Sequence, residues 1–289
     1  MKIHLVQRLV TGRYSARVFD LLFNWGLDTA AMRLLHCRAR CNSRAFFKNH
    51  ARRVQRIVDS LADATSKQAF AKAVLYRQTF RRTDAPPNAC DPYFPRDLIS
   101  LTDHEVFVDC GAFVGDTVDS FLKHSGGRFN RVVCLEPDPG NFAALSKAHP
   151  DARIVKLPAG VWSGKTTLHF QTGKGAGSAI ASRTSDHALA IPVVALDEVE
   201  SCQDATFIKM DIEGAEMEAL AGARQLIARC RPTLAICIYH SDEDTLRIPE
   251  YLFATLESYS FHIRHHSRNW QETVLYALPE PSQAHDKRP

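Results

Sequence analysis

The stretch VFVDCGAFVGDT, residues 106–117, decides the fold of this chain. A short apolar run leads into a turn with two glycines and then into an amphipathic segment, the order in which a doubly wound α/β domain begins. Gly111 and Gly115 allow the backbone to approach a ligand more closely than a Cβ would permit. Asp109 stands two residues before the first glycine, where a dinucleotide-binding turn usually carries an apolar residue and a fuller glycine pattern. An acid at this strand end suits the ammonium group of an amino-acid moiety instead.

Beyond this stretch, short apolar runs alternate with amphipathic segments, a pattern typical of a parallel sheet covered by helices. The runs predict strands at 106–109, 131–136, 153–159, 207–211 and 233–239. The segments between them predict helices at 117–123, 139–149 and 215–229, the second capped by Asp138. A further strand pair at 166–170 and 191–196 interrupts the alternation. The runs 261–266 and 273–277 are too close for a crossover helix, so they must pair antiparallel.

The first 98 residues have a different character. They hold 18 Lys and Arg against 7 Asp and Glu, whereas the rest of the chain holds 18 against 25. An apolar stripe at helical spacing runs from Phe47 to Leu61, and Thr65 with Gln68 forms a capping box that predicts the start of a further helix. We therefore predict a basic helical segment with a proline-rich connector at 1–98, an α/β domain at 99–278 and a disordered tail at 279–289.

Composition restricts the class of protein. Hydrophobic residues make up 45% of the chain and charged residues 24%, as in an ordinary globular protein. No apolar run has the length of a membrane span, and the first residues do not resemble a signal peptide. The eight cysteines lack the paired spacing of metal or redox motifs, so we expect free thiols in a reducing cytoplasm. The basic segment could contact nucleic acid, anionic lipid or an anionic substrate; solvated helix faces are the simpler interpretation.

Three further motifs stand at predicted strand ends. Glu136, 21 residues after Gly115, can accept hydrogen bonds from the two hydroxyls of a ribose. Lys209, Asp211 and Glu213 alternate with apolar residues, so they should face one side near the ligand crevice. His240 closes the next strand and is a candidate general base, because its ordinary pKa is near neutrality.

Taken together, these motifs resemble the FkbM family of S-adenosylmethionine (SAM)-dependent methyltransferases. The resemblance covers about residues 90–280 and is carried by VDCGAFVGDT, EPDPGNF, PAGVWSGK, VVALDEV and above all FIKMDIEGAEMEALAGA. Two later stretches, IYHSDEDTLRIPEYL and RHHSRNWQETVLYALP, look like a bacterial branch of the family. Cys110 departs from the β-branched residue common in the family, a conservative packing change.

The resemblance implies a class I methyltransferase fold: a Rossmann-like α/β sheet, mostly parallel, with an antiparallel C-terminal hairpin. It also implies O-methylation of a hydroxyl on a small molecule or glycan, with SAM as the cofactor. The predicted donor-binding residues are Asp109, Gly111, Phe113, Gly115, Asp116, Thr117, Glu136, Pro137, Asp138, Ala159 and Gly160. The predicted catalytic residues are Asp211, His240, Lys209 and Glu213.

Two questions stay open at this stage. His240 or Asp211 could accept the hydroxyl proton, or Asp211, Glu213 and His240 could bind a divalent cation that lowers the hydroxyl pKa; our prediction is a site without metal.

The alternatives in function are an NAD(P)-dependent oxidoreductase, an RNA methyltransferase that uses the basic segment, and a non-catalytic scaffold. Asp109 and the C-terminal hairpin argue against the first, and the absence of a base-clamping Asn/Asp-Pro-Pro-Tyr motif argues against the second. The presence of both Gly111 and Glu136 argues against the third. We expect no nucleic-acid partner, no membrane span, and apolar packing of the N-terminal helices against the α/β domain or a second subunit, as part of the acceptor pocket wall.

Overall fold

The computed structural model describes residues 41–89, 91–171, 188–267 and 270–281. The helices expected before residue 41 and most of the expected tail therefore lie outside the described residues. Residues 41–49 are helical. The seven α-helices that follow are α1 Ala51–Ser60, α2 Ala64–Thr79, α3 Asp116–Ser125, α4 Pro139–Ala148, α5 Glu216–Ala221, α6 Arg224–Cys230 and α7 Asp242–Thr255. Single 3₁₀ turns occur at Arg82–Asp84, Leu196–Glu198 and Glu200–Cys202.

The central element is a seven-stranded sheet in the order β3-β2-β1-β7-β8-β10-β9. Its strands are β1 Val106–Cys110, β2 Arg131–Leu135, β3 Ile154–Leu157, β7 Phe207–Met210, β8 Thr233–Cys237, β9 Tyr259–His265 and β10 Thr273–Pro279. All pairs are parallel except those that β10 makes with β8 and β9. The predicted parallel sheet with an antiparallel C-terminal hairpin is confirmed, although β10 extends to Pro279, one residue past the expected end of the domain.

The predicted extra strands form a second, small sheet. It has the order β4-β6-β5, with β4 at Gly160–Val161, β5 at Thr166–Gln171 and β6 at Ala188–Val194. β5 and β6 pair antiparallel, while β4 runs parallel to β6. Because β4 follows β3 after two residues, this sheet begins beside the carboxyl end of β3.

Apolar layers cover both faces of the central sheet. The strands β1, β2 and β7 are buried throughout except at Arg131, as expected of parallel strands between helices. One layer joins the strands to α5, α6 and α7, and the other joins them to α3 and α4. Strand order reverses on either side of β1, and ligands of such sheets bind at the carboxyl ends of the strands near that reversal.

The described N-terminal helices share the core of the sheet. Ile57 of α1 and Phe70 of α2 are fully buried in the same apolar cluster as strand residues such as Val108. Burial of such side chains contributes about 1.5–3 kcal/mol each. Polar contacts add to the packing, because the Ile263 amide of β9 donates to Ser66 Oγ (2.9 Å). The expected packing of residues 41–79 on the α/β domain is therefore observed.

Two local predictions are wrong. The capping box at Thr65 and Gln68 does not start α2; Asp63 is the N-cap and accepts from the Ser66 amide (2.6 Å), because its carboxylate also holds β9 through His262. The single helix predicted at 215–229 is divided into α5 and α6. There the Asp197 carboxylate accepts from the amides of Gln225 and Leu226, so a side chain from another segment caps a new helix start.

Candidate functional site

The turn after β1 depends on its two glycines for packing within the protein. Gly111 and Gly115 have φ of +82° and +98°, the left-handed region that favours glycine. A Cβ on Gly111 would lie 2.1 Å from the Asp211 carbonyl oxygen, and one on Gly115 would lie 2.4 Å from His149 Nε2. Both glycines are therefore required by packing against the end of β7 and a side chain after α4, while their predicted role in the approach of a ligand stays a prediction.

The turn contacts the second predicted ligand residue directly. The Phe113 amide donates to Glu136 Oε2 (3.0 Å), while the Asp138 amide and Asn141 Nδ2 donate to Glu136 Oε1 (2.9 and 3.3 Å). Glu136 is only 5% exposed. The Phe113 side chain is 41% exposed, and its φ is +49°. The structure thus joins the β1 turn, the end of β2 and the start of α4 around one carboxylate.

The remaining predicted donor residues follow the ends of β1, β2 and β3. Asp138 caps α4, as predicted, by accepting from two amides of its first turn (both 3.0 Å). Gly160 opens β4, where a Cβ would lie 3.8 Å from Pro137 Cγ, so the stretch after β3 approaches the stretch after β2. Ala159, which precedes Gly160, is buried. Asp116 and Thr117 form the first turn of α3, with Asp116 exposed and Thr117 buried.

Asp109 does not lie at a pocket rim, where the ammonium-binding role placed it. It is fully buried, and the parallel register sets it beside Lys209, whose Nζ lies 2.9 Å from Asp109 Oδ1. Lys209 Nζ also donates to the Gly111 carbonyl (2.9 Å) and lies over the Tyr93 ring. Asp109 Oδ2 has no hydrogen-bond partner within the described part of the chain. The acid and the lysine therefore form a buried pair that connects β1 to β7.

The charges of this pair depend on one another. Burial alone would lower the pKa of Lys209, but the carboxylates of Asp109 and Asp211 outweigh it and raise that pKa above its ordinary value. Burial raises the pKa of Asp109, and Lys209 offsets part of the effect. We assign an ion pair, since the lysine lies between two carboxylates.

Asp211 lies at the centre of the predicted catalytic residues. Tyr93 Oη donates to its Oδ2 (2.8 Å), Tyr239 Oη donates to its Oδ1 (3.0 Å), and His240 Nε2 lies 3.2 Å from Oδ1. Burial would raise the pKa of Asp211, but His240, Lys209 and the Tyr93 hydroxyl outweigh burial and hold that pKa well below its ordinary range. Asp211 is therefore a carboxylate at neutral pH.

His240 lies between two carboxylates. Its Nδ1 is 3.1 Å from Glu216 Oε1, on the side opposite to Asp211, and its side chain is 7% exposed. Burial would lower the pKa of His240, but Glu216 and Asp211 outweigh it and raise that pKa well above the ordinary value. A histidine that holds its proton at neutral pH is a poor general base, so the electrostatics disfavour the predicted proton-accepting role of His240.

Glu213 does not share the position of Lys209 and Asp211. Its side chain is 73% exposed, its φ is +60°, and its Oε2 lies 3.9 Å from His240 Nε2. The expectation that all three residues face the crevice together fails at Glu213, because the strand ends at Met210 and the period-2 alternation ends with it.

Four residues of this region were missed by the sequence-based reasoning. Tyr93 belongs to the connector, Glu216 opens α5, and Trp270 and Glu272 lie in the β9–β10 loop. Burial and the neighbouring Asp211 raise the pKa of Glu272 to about 7, so the loop brings this carboxyl near the strand ends. Arg77 of α2 lies over the Trp270 ring (5.5 Å) and donates to the Tyr239 carbonyl (2.8 Å). Only the Glu216 signal was visible in the sequence, as a third acid in the DIEGAE motif.

Comparisons with known proteins identify the family of this chain. The family model for the methyltransferase FkbM domain matches residues 109–269. The crystal structure of methyltransferase FkbM from Methylobacillus flagellatus KT is similar over 81% of this chain, at 28% identity and a TM-score of 0.70. That match covers 60% of the Methylobacillus chain, so this chain spans less than two thirds of its length.

A second solved structure is less similar. Fibrillarin from Aeropyrum pernix, in complex with natively bound S-adenosyl-L-methionine, is 14% identical over 63% of this chain and 71% of its own, with a TM-score of 0.39. A search of curated proteins finds no match. Within the described residues, no helix is both long and apolar enough to cross a membrane. The family model covers more than half of the chain, and the chain belongs to the FkbM methyltransferase family.

Proposed function

We propose that this protein transfers a methyl group from SAM to a hydroxyl oxygen of a small molecule or glycan. The FkbM family assignment supports methyl transfer, and the choice of an oxygen acceptor follows the resemblance described above. The donor binds across the carboxyl ends of β1 and β2, and the acceptor binds beside it at the ends of β7 and β8. The N-terminal helices pack behind the acceptor side, with the α/β domain at 99–278 as the catalytic unit.

The position of Glu136 carries this proposal. Its carboxylate is held by amides from two turns, so it is fixed and charged where a ribose would cross from β1 to β2. A fixed carboxylate can accept hydrogen bonds from the two ribose hydroxyls without a change in its own conformation. The residues present therefore fit the donor, with Glu136 as its ribose anchor.

The charge of the crevice also fits the donor. Asp109, Asp116, Asp211 and Glu272 interact electrostatically near the ends of β1 and β7, and Lys209 and His240 balance only part of their negative charge. A negative, partly buried crevice attracts a ligand that carries a sulfonium and an ammonium group. It disfavours the pyrophosphate of NAD(P) for the same reason.

The acceptor side supplies orientation and a proton acceptor. SAM supplies a methyl group on a sulfonium sulfur, which leaves as a neutral thioether when the acceptor oxygen takes the methyl group. Asp211, held by two tyrosine hydroxyls, orients the acceptor hydroxyl toward the donor. Glu272, with its pKa of about 7, is the carboxyl best matched to take the hydroxyl proton at neutral pH.

Calorimetry with SAM tests the donor site. We expect wild-type protein to bind SAM with micromolar affinity, and Glu136→Ala to lose about 1.5–3 kcal/mol for each charge-assisted hydrogen bond removed. Glu136→Gln keeps the shape of the side chain and should lose less. Glu198→Gln, at an exposed acid, serves as the matched control and should bind as wild type does. Undiminished SAM binding by Glu136→Ala would reject the assignment.

Labelled SAM identifies the acceptor. We expect wild-type protein to transfer labelled methyl groups to a component of a cell extract, and identification of the product shows whether oxygen is methylated. The packing of α1 and α2 into the core argues against their use as a free nucleic-acid arm. Gel-shift titrations at low and moderate salt check this point, since binding through phosphates weakens steeply with salt.

The proposed location is the cytoplasm. The described cysteines, at positions 41, 110, 134, 202, 230 and 237, are all free, and four of them are buried in the core. Free buried thiols are common where glutathione keeps proteins reduced. Fluorescence microscopy of cells that express this protein fused to a fluorescent protein would check the location.

A further inference from the structure

We propose that Asp211, Glu216 and His240 form a binding site for a divalent metal ion on the acceptor side of the crevice. The site differs from the metal-free site that the sequence predicts, and it includes Glu216 in place of the Glu213 considered there. Its existence is independent of the reaction, whereas its use in catalysis rests on the proposed function.

The three side chains meet at one point although they come from three elements. Each offers one ligand atom, and these atoms all lie within 4.8 Å of one another. His240 is in contact with both acids, at 3.2 Å from Asp211 Oδ1 and 3.1 Å from Glu216 Oε1. An ion bound at about 2.0–2.2 Å from each ligand reaches all three after small side-chain movements.

Buried polar atoms without partners point into this cluster. Glu216 is fully buried, and its Oε2 makes no hydrogen bond in the described structure. Within the part of the chain that the structure describes, both ring nitrogens of His240 lack a hydrogen bond of good geometry, although they lie close to carboxylate oxygens. Burial of polar groups without partners is costly and uncommon in folded proteins. A metal ion would displace one proton from the His240 ring, bind that nitrogen and the open Glu216 oxygen, and take over the positive charge that the two carboxylates otherwise hold on the ring.

A second layer of hydrogen bonds already orients the acidic ligands. Tyr93 Oη and Tyr239 Oη each donate to a different oxygen of Asp211. The Ile212 amide donates to Glu216 Oε1 (2.9 Å) and leaves Oε2 as the oxygen for an ion. Metal-binding carboxylates typically have such partners, which fix their orientation and are needed for affinity.

The donor set selects the class of ion. One imidazole and two carboxylates suit Mn²⁺ or Zn²⁺ better than an all-oxygen ion such as Ca²⁺. Three protein ligands leave coordination positions open for water or for an acceptor hydroxyl. A hydroxyl bound there would have a lower pKa, which would ease removal of its proton by Glu272. The site therefore adds a means of activating the acceptor that Asp211 alone does not provide.

Glu213 provides a matched control within the same motif. It is an acid of the same type, three residues before Glu216, but it is 73% exposed and 3.9 Å from His240. Its substitution should therefore leave an ion at Asp211, Glu216 and His240 in place. Glu216→Gln is the corresponding test variant, because its amide oxygen can still accept from the Ile212 amide and preserve the fold.

Electron paramagnetic resonance with Mn²⁺ tests the site on full-length protein freed of metal with EDTA. We expect one Mn²⁺ per chain to lose its free signal, and pulsed measurements to show coupling to a directly bound imidazole nitrogen. His240→Ala should abolish the nitrogen coupling, and Glu216→Gln and Asp211→Asn should each weaken Mn²⁺ binding about tenfold or more. Glu213→Gln should bind as wild type does, and circular dichroism verifies that each variant is folded.

Several results would overturn the site. The first is that no Mn²⁺ binds at millimolar concentration and no Zn²⁺ is retained after dialysis. The second is nitrogen coupling that persists in His240→Ala. The third is an equal loss of Mn²⁺ affinity in Glu213→Gln and Glu216→Gln. SAM calorimetry on the same metal-free protein separates the two proposals. SAM binding without Mn²⁺ binding rejects the metal site alone, whereas Mn²⁺ binding without SAM binding rejects the donor site alone.

Discussion

The two sides of the crevice are built in different ways. The donor side consists mainly of residues 109–141, where the β1 turn, Glu136 and the cap of α4 follow one another along the chain. The acceptor side combines the connector, the ends of β7 and β8, the start of α5 and the β9–β10 loop. The first is a local structure that strand order places in the sheet, whereas the second exists only when distant segments meet.

The two sides also differ in how their acids are satisfied. Glu136 accepts hydrogen bonds from two backbone amides and an asparagine, so each of its carboxylate oxygens has a donor in the surrounding chain. On the acceptor side, Asp211 and His240 depend on side chains from other segments, and Glu216 has one oxygen that finds no partner among the described residues. The difference supports the proposed metal site, since a bound ion would complete the hydrogen-bonding and charge partners of the acceptor side, whereas the donor side already has its own.

The largest expected effect concerns the pair that connects the two sides. Lys209→Met leaves Asp109 buried without its counterion, so we expect the free energy of unfolding to fall by about 3–5 kcal/mol. Urea denaturation measures it. The double variant with Asp109→Asn should lose clearly less than the sum of the two single changes, because the residues interact directly. Lys165→Met, at an exposed lysine, is the control; a loss as small as that of the control would show that the ion pair is unimportant.

The next effect separates chemistry from donor binding. Asp211→Asn should lower turnover by about a hundredfold, equivalent to about 2.7 kcal/mol, with SAM affinity nearly unchanged. The measurement is single-turnover transfer of labelled methyl to the active extract fraction, beside calorimetry with SAM. Glu213→Gln should retain most of the turnover, since its side chain is largely exposed. If Asp211→Asn weakened SAM binding as much as turnover, the division into two sides would be wrong.

A pH experiment examines the loop that closes the acceptor side. The folded-state pKa of Glu272 is raised from 4.5 to about 7, so the folded protein binds this proton more tightly than the unfolded chain does. Stability from this group is therefore present below pH 4.5, falls as the pH rises through this window, and is lost above about pH 7. Glu272→Gln in EDTA should thus be more stable than wild type above pH 7, by about 1–2 kcal/mol after allowance for partial exposure.

The same comparison at pH 4.5 is its internal control, because the two proteins should then differ little. Glu257→Gln, at an exposed acid, should show no such pH-dependent gain. A constant difference between wild type and Glu272→Gln across the pH range would contradict the raised pKa.

The smallest expected effect concerns the ion pairs of α1, the helix that packs behind the acceptor side. Arg53 of α1 forms ion pairs with Glu250 (2.7 Å) and Glu243 (3.0 Å) of α7, but these groups are partly exposed. Arg53→Gln should therefore cost less than about 1 kcal/mol in thermal unfolding. Ile57→Ala, in the buried face of the same helix, should cost about 2–5 kcal/mol. Equal costs would mean that charge, not apolar burial, holds α1 in place.

Sequence reasoning was most accurate where structure is local. The strand–turn–helix at 106–117, the α4 cap at Asp138 and the antiparallel hairpin all follow from neighbouring residues, and the structure confirms them. It was least accurate where a distant side chain intervened. Asp63 replaced the predicted capping box because it also holds β9, and Asp197 divided the helix predicted at 215–229.

The candidate site shows the same division. The position of Glu136 at a strand end could be predicted from spacing, but the burial of Asp109 could not, because it depends on the register that sets Lys209 beside it. The close protein contacts that require glycine at Gly111 and Gly115 could not be predicted either, since a sequence shows that a Cβ is absent without showing which atoms would meet it. Tyr93 and Glu272 carry no motif and were missed.

The sequence by itself determined the family, the α/β class and the acids and glycines that follow the strands, because these depend on periodicity and on residues close in the chain. Tertiary structure alone decided which of those residues touch. The order of β1, β7 and β8 sets Asp109 against Lys209 and places Asp211 beside His240, while the start of α5 brings Glu216 to the other side of that ring. The physical reason is that contacts between strands and loops arise from packing over long chain separations, which leaves no periodic signal in the sequence.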